Sequence, residues 1–242
     1  MIIGTETQRQ QLSSFLPVNF LGNDFTPSHS VRNLGVIFDS DFNFSKHVSS
    51  VCSSCFYHIR DFSRIRRHLD LSTAIILANA LVSSRLDYCN SLLYSLRKCD
   101  LKRLQVVQNT LCRIVTRTSR FTSITPARKS LHWLPIEHRI QFKINLLTFK
   151  ALHFLSPPYL KSYLEPYTSI YNTRRSDPGQ HILNTFDHKN KKYSSAKQLH
   201  NSFAYSAPYL WNNLPLCVRS SNTLATFRNR LKTYLFSKAY PP

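Results

Sequence analysis

From Ser45 onward the apolar residues of this chain fall in steps of three and four: Val48, Val51, Cys55, Ile59, Phe62, Ile65 and Leu69. That spacing returns to one side of an α-helix every turn, so it predicts a helix with a continuous apolar stripe. A stripe of that length is stable only when another layer of structure covers it. The chain supplies the cover as further helices. A second is predicted over about residues 72–93, apolar around most of its circumference and therefore central. A third follows from Asp100, with Leu101, Leu104, Val107, Leu111 and Ile114 inward and Lys102, Arg103, Arg113 and Arg117 largely outward. Pro135 opens another, with Ile136, Ile140, Ile144, Leu147 and Ala151 on one stripe and Arg139, Lys143 and Lys150 opposite. Ser45 and Asp100 are of the type that caps a helix start, and Thr125-Pro126 reads as a cap followed by proline at the first helical position.

The segments outside this block read differently. Residues 1–44 carry short apolar runs (Met1 to Gly4, Phe15 to Leu21, Val31 to Phe38) parted by Gly22, Asn23 and Pro27, which predicts strands, turns and a small antiparallel sheet. A short helix is expected at 159–164, after Pro157-Pro158. Residues 166–201 have no period; they are polar and basic, with Arg174, Arg175 and the cluster from Lys189 to Lys192, and read as a linker or binding loop. Helices return over 203–212 and 223–239, the latter with Leu224, Phe227, Leu231 and Leu235 inward. The expected fold is therefore mainly α. It is a helical bundle over 45–165, preceded by a β-rich segment over 1–44 and followed, after the loop at 166–201, by a second small helical region over 202–242.

Charge sets the class of partner. Against 12 acidic residues stand 32 Lys and Arg, a net charge of +20 spread along the whole chain. Such a surface attracts polyanions, nucleic acid first among them. The charge is spread over the chain, and no single helix concentrates it opposite an apolar face as a membrane-surface helix does. No apolar run approaches the roughly 20 residues that span a bilayer. The first twenty residues lack a basic start followed by an apolar block, so the expectation is a nuclear or cytoplasmic protein with no membrane partner. Without an export signal, the six cysteines (52, 55, 89, 99, 112, 217) read as reduced, largely buried thiols.

Motifs that carry chemistry are sparse. Asp39 and Asp41 are carboxylates at alternate positions, the spacing that places two side chains on one strand face; a strand-end turn accounts for them better. Cys52 and Cys55, flanked by His47 and His58, have zinc-type spacing, but both fall on or beside the apolar stripe and no second ligand pair accompanies them. His132-Trp133 belongs to no hydrolase or metalloprotease motif, and Trp133 fits a hydrophobic staple ahead of the Pro135 helix. Asp87 and Arg85 read as a structural ion pair or cap contact rather than an acid–base couple. No catalytic residue, cofactor or metal is expected. For nucleic acid, the candidates are Arg60, Arg64, Arg66, Arg67, Lys102, Arg103, Arg113 and Arg117, with Arg120, Arg128 and Lys129 behind them. Arginine holds phosphate in a fork, and a long helical face can track a backbone. Tyr57, Phe121 and Tyr193 are of the kind that stacks on bases.

Four strings carry a family resemblance. Residues 81–94 read Leu-Val-Ser-Ser-Arg-Leu-Asp-Tyr-Cys-Asn-Ser-Leu-Leu-Tyr, and 104–109 read Leu-Gln-Val-Val-Gln-Asn. Residues 31–39 read Val-Arg-Asn-Leu-Gly-Val-Ile-Phe-Asp, and 131–136 read Leu-His-Trp-Leu-Pro-Ile. Together they resemble the carboxy-terminal part of LINE-type, jockey-like non-LTR retrotransposon reverse transcriptases. Weaker likeness continues through 142–152, 207–215 and 227–236. The resemblance implies that Leu34-Gly35 is the palm-edge turn that touches the primer end. It implies that the helices after Ser45 form a thumb lying along template–product duplex. The Tyr-Ala-Asp-Asp string of that family's catalytic palm does not occur here. The implied function is thus a nucleic-acid-binding fragment of an RNA-directed DNA polymerase, gripping RNA, DNA or RNA–DNA hybrid by its phosphates and not catalytic alone. The alternatives are the tail of a longer reading frame with polymerase activity, and a helical protein-interaction module or non-functional relic of a transposable element.

Overall fold

The computed structural model describes residues 1–3, 6–13, 17–164 and 202–241. The loop expected at 166–201, with Arg174, Arg175, the lysine cluster and Tyr193, lies outside them. Before the helical block come two separate β-hairpins rather than one sheet: β1 (Val18–Phe20) with β2 (Asn23–Phe25), and β3 (Ser30–Asn33) with β4 (Val36–Asp39). Both turn on a Leu-Gly pair. Leu21 and Gly22 have φ of 51° and 80°, and Leu34 and Gly35 have 46° and 82°. Two positive φ values in a two-residue loop match the right-handed twist of the flanking strands. Glycine adopts them freely, whereas leucine there is uncommon. A helix, α1 (Glu6–Ser13), precedes the hairpins where strand and turn were expected. Its polar Glu-Thr-Gln-Arg-Gln-Gln run is built largely of good helix formers and carries no alternation, which the apolar-run criterion passed over.

The frame of the bundle is a pair of helices, α2 (Ser45–Ile65) and α5 (Lys98–Thr116), that run parallel with their ends level. Their buried stripes meet: Val48, Cys52, Cys55, Ile59 and Phe62 from one, Leu104, Val107, Leu111 and Val115 from the other. Two parallel helices place like partial charges side by side at each end, which disfavours the pairing unless opposite charges sit there. Both ends carry them. At the amino ends, Asp100 is 2% exposed and accepts from the Ser45 hydroxyl at 2.7 Å. Arg97 donates to Asp100 Oδ2 at 3.1 and 3.2 Å and to the Ser45 hydroxyl, and Arg103 donates to Oδ1 at 3.3 Å. Burial pushes the Asp100 carboxyl up, but these hydrogen bonds and the Arg97 charge outweigh it and hold the group below its usual range.

At the carboxy ends two arginines exchange partners. Arg66, in the 3₁₀ turn Arg66–His68 that ends α2, donates Nε and Nη2 to the Val115 carbonyl of α5 at 3.0 and 2.7 Å. Its Nη1 donates to the Leu69 carbonyl at 2.7 Å. Arg117, just past α5, donates Nη2 to the carbonyls of Arg66 and Arg67 at 3.1 and 3.0 Å. Each arginine therefore adds side-chain donors to carbonyls at the end of the other helix, where intrahelical amide partners run out.

These contacts correct two expected caps. The residue before α2 is Phe44, left-handed at φ 57°, and the amide of Ser45 is taken by Asn43 at 2.9 Å. Asp100 lies inside the first turn of α5 and is spent on Ser45, Arg97 and Arg103. The first helix also ends sooner than its stripe. Asp70 accepts from the amides of Ser72 and Thr73 and starts α3 (Leu71–Ala78).

The return from the carboxy end of α2 to the amino end of α5 is made by α3, a π-helical turn (Asn79–Ser83) and α4 (Ser84–Asp87), then a break at Cys89 and a 3₁₀ turn (Asn90–Leu93). The sequence predicts a central position for this segment, since it is apolar around most of its circumference. It buries Ala74, Ala78, Val82 and Leu86 but leaves Leu71 and Ile76 exposed, because its inward side is narrow and lined by small residues. Beyond α5 come α6 (Thr125–Ser130), α7 (Ile136–Leu152) and α8 (Pro158–Lys161), then α9 (Phe203–Asn212), α10 (Leu216–Arg219) and α11 (Leu224–Ala239). α9 and α11 pack on α7. The Phe149 ring stacks on Phe227 at 4.3 Å, with Trp211 5.6 Å from Phe227. The Tyr240 hydroxyl donates to the Trp133 carbonyl at 2.6 Å and ties the end of α11 to the entry of α7.

Candidate nucleic-acid interface

On α2 the side away from the core carries Tyr57, Arg60 and Arg64, with Arg67 one turn on in the 3₁₀ end. Steps of three, four and three put the four on one face. All are exposed, Tyr57 at 62%. Asp61 lies 3.6 Å from Arg64, an exposed pair with both side chains at least half in water. Such a pair is weak and exchanges readily for another anion. Among the described residues the Arg67 side chain donates to the neighbouring His68 ring alone, from Nε at 2.9 Å. Because Arg117 grips the carbonyls of Arg66 and Arg67, the turn after α5 lies against this end of α2. Three residues further on, Arg120 covers the ring of Phe121 at 4.7 Å, and Phe121 is 85% exposed.

The other candidate cations are placed differently. Arg66 is buried and holds two helix ends; burial and then the Arg117 charge press its pKa below the usual arginine value. Arg117 is its reciprocal partner. Arg113 donates to the Ser119 carbonyl and closes the turn after α5. Arg103 is engaged with Asp100 and with the Ser49 hydroxyl at 3.1 Å. Lys102 is exposed, but near the start of α5, roughly 15 Å along the parallel pair from the Arg60–Arg67 face. Lys129 is exposed on α6, and Arg128 sits 5.9 Å from the Tyr240 ring. The structure thus gathers Arg60, Arg64 and Arg67 on one face, sets Arg120 beyond its end, and assigns Arg66, Arg103, Arg113 and Arg117 to intramolecular contacts.

The remaining candidates resolve as follows. Leu34 is 83% exposed at its turn, and its carbonyl accepts from the Tyr88 hydroxyl at 2.6 Å. Gly35 lies against the Tyr88 ring, where an added Cβ would come within 3.4 Å. Asp39 is buried and accepts the Asn43 amide at 2.8 Å, while Asp41 pairs with Arg9 at 2.7 Å, so the two carboxylates have separate tasks. Cys52 and Cys55 are buried free thiols, and burial pushes Cys55 up to about 12. Cys99 and Cys217 are exposed, against the expectation of burial, because each stands in the first turn of its helix on the solvent side. Among the described residues no three His, Cys, Asp or Glu side chains gather as a metal site. His132 is exposed and left-handed at φ 54°. Asp87 pairs with Arg139, at 3.0 and 3.1 Å, and not with Arg85, whose guanidinium turns back to the Leu81 carbonyl.

His47, set aside as a flank of the cysteine pair, has a structural part that spacing could not reveal. It is 4% exposed and accepts the Ile37 amide at 3.4 Å, joining hairpin β3–β4 to α2. Burial, and then the Arg32 charge, lower its pKa, so it stays neutral. No helix among the described residues is long and apolar enough to cross a membrane. No known protein family, curated protein or solved structure matches this chain.

Proposed function

We propose that this chain is a nucleic-acid-binding fragment of the LINE-type reverse-transcriptase kind, holding RNA, DNA or hybrid duplex by its phosphates and carrying out no polymerisation alone. The observation that carries the reading is the Arg60–Arg64–Arg67 face on α2, exposed and opposed, among the described residues, by the single weak ion pair with Asp61, on a chain of net charge +20. Successive guanidinium groups one helical turn apart suit contacts to successive phosphates, with little base preference. Tyr57 at one end of the row and Phe121 near the other supply flat faces for unpaired bases.

The test is a salt-titrated binding assay on single-stranded RNA, single-stranded DNA and RNA–DNA hybrid. Affinity is expected to fall steeply with salt. Changing Arg60, Arg64 and Arg67 together to alanine is expected to reduce the logarithmic salt slope by roughly 0.9 per lost duplex phosphate contact. Arg103→Ala, which removes a residue engaged with Asp100, serves as the comparison and leaves that slope unchanged. A flat salt response, or a triple variant that binds like the parent, overturns the reading. So does incorporation of nucleotides by the purified chain in a primer-extension assay.

A further inference from the structure

A second basic feature lies away from the α2 face. Between α7, α11 and the return segment is a cleft of about 500 Å³, within the roughly 300–1,000 Å³ range of small-ligand sites. Its lining divides by chemistry. Lys143 from α7 and Arg228 and Lys232 from α11 stand at the rim, and Arg228 and Lys232 are one helical turn apart. All three are exposed, and among the described residues none of their side chains has a hydrogen bond or ion pair. The one carboxylate in the lining is Asp87, which is already matched by Arg139 at 3.0 and 3.1 Å. Among the described residues the rim therefore carries three uncompensated positive charges.

Beneath the rim the lining is mixed; its apolar part includes the half-buried Phe142 and Leu146 and an edge of Trp133, which is 5% exposed. In the same lining is Asn90, 4% exposed. Its Nδ2 donates to Asp87 at 3.4 Å, and its Oδ1 is buried with no partner. A buried acceptor left unpaired costs the fold stability, so it calls for an occupant that donates to it.

We infer that this cleft binds a single nucleotide unit, with its phosphate on Lys143, Arg228 and Lys232, its base against Phe142 and Leu146, and an N–H of the base donated to Asn90 Oδ1. A bare anion makes no use of the apolar wall, and its oxygens would be repelled by the Asn90 acceptor. An uncharged aromatic leaves the three cations idle. A nucleotide uses all three features at once, and as the end of a strand it would be held apart from the duplex-type contacts on α2. The choice of nucleotide as the ligand rests on the nucleic-acid reading above.

Isothermal titration of the full chain with adenosine and uridine 5′-monophosphates, their free nucleosides and inorganic phosphate tests it. A mononucleotide is expected to bind about tenfold or more tightly than either phosphate or nucleoside alone. Arg228→Glu with Lys232→Glu, both exposed positions, is expected to weaken that binding at least tenfold while thermal melting stays within a few degrees of the parent. The Arg60, Arg64 and Arg67 alanine variant is expected to bind mononucleotide as the parent does. Polynucleotide binding with no mononucleotide binding overturns this inference and leaves the α2 face standing. Mononucleotide binding with no polynucleotide grip overturns the proposed function and leaves the cleft. Phosphate binding as tightly as nucleotide, or an unaffected double variant, also overturns the inference.

Discussion

Arg66 is the residue whose replacement separates architecture from binding. It makes three hydrogen bonds to backbone carbonyls, at 3.0, 2.7 and 2.7 Å, and is 7% exposed. Arg66→Met keeps most of the side-chain length and removes every donor. The carbonyls of Val115 and Leu69 lose these partners, and each unsatisfied buried group costs about 1–3 kcal/mol. Removing the cation also ends its own burial cost and its repulsion with Arg117, which offsets part of the loss. The net expectation is a destabilisation of about 3 kcal/mol, a fall in melting temperature of roughly 6–12 °C for a chain of this size. Arg66→Lys keeps the charge, but one ammonium cannot reproduce the planar fork, so it is expected to lose more than half as much. Thermal and urea unfolding followed by circular dichroism give the numbers. Nucleic-acid binding by the folded variant, measured well below its melting point, is expected to match the parent in salt slope. A stability change under about 0.5 kcal/mol, the size of an ordinary surface substitution, refutes the role assigned to the two carboxy ends. A salt slope lower by about one would instead make Arg66 a phosphate contact.

Three further outcomes are expected. Gly35→Ala and Gly22→Ala each put a Cβ at positive φ, so each is expected to cost about 1–2 kcal/mol in urea unfolding, and the 3.4 Å approach to the Tyr88 ring, an ordinary contact, is expected to add nothing at Gly35; a much larger loss at Gly35 counts against this. Lowering pH below the ordinary histidine value of about 6.5 protonates the unfolded chain before the folded one, because burial depresses His47. Stability is therefore lost as pH falls, and His47→Gln is expected to flatten that part of a pH–stability profile; an unchanged profile counts against it. With a thiol reagent at pH 8, Cys99 and Cys217 are expected to react at once. Cys52, Cys55 and Cys112 are expected to wait for unfolding, since burial raises Cys55 to about 12 and Cys112 to about 11. Fast labelling of either raised thiol shows the core to be open.

Much of the helical layout is legible in the chain. The stripe from Val48 to Phe62, the Pro135 entry to α7 and the helix Phe203–Asn212 all follow from spacing and turn residues. The exposed row of Arg60, Arg64 and Arg67 is legible too, since it is the complement of that stripe. What spacing does not encode is which way a partner helix runs. Ser45 and Asp100 each satisfy the local rule for a cap, yet in the fold they are spent on one another across 55 positions. Arg66 and Arg117 look like two more solvated cations until the last turns of α2 and α5 come level. The π-helical turn at Asn79–Ser83 resists sequence reading for another reason. An extra residue in one turn shifts every later side chain around the axis, and nothing in Asn-Ala-Leu-Val-Ser announces it.

The level ends of α2 and α5 bear on how the chain reaches its fold. Two neighbouring helices joined by a tight loop run in opposite directions, so their contacts zip up from the loop. Here residues 66–97 must double back along the full length of α2 before α5 can begin beside its start, and every α2–α5 contact closes a long stretch of intervening chain. The entropic toll of that closure falls due before the two stripes meet. Individual helices are thus expected to flicker into being well ahead of the pairing that locks them, and folding should run more slowly than helix content alone would suggest.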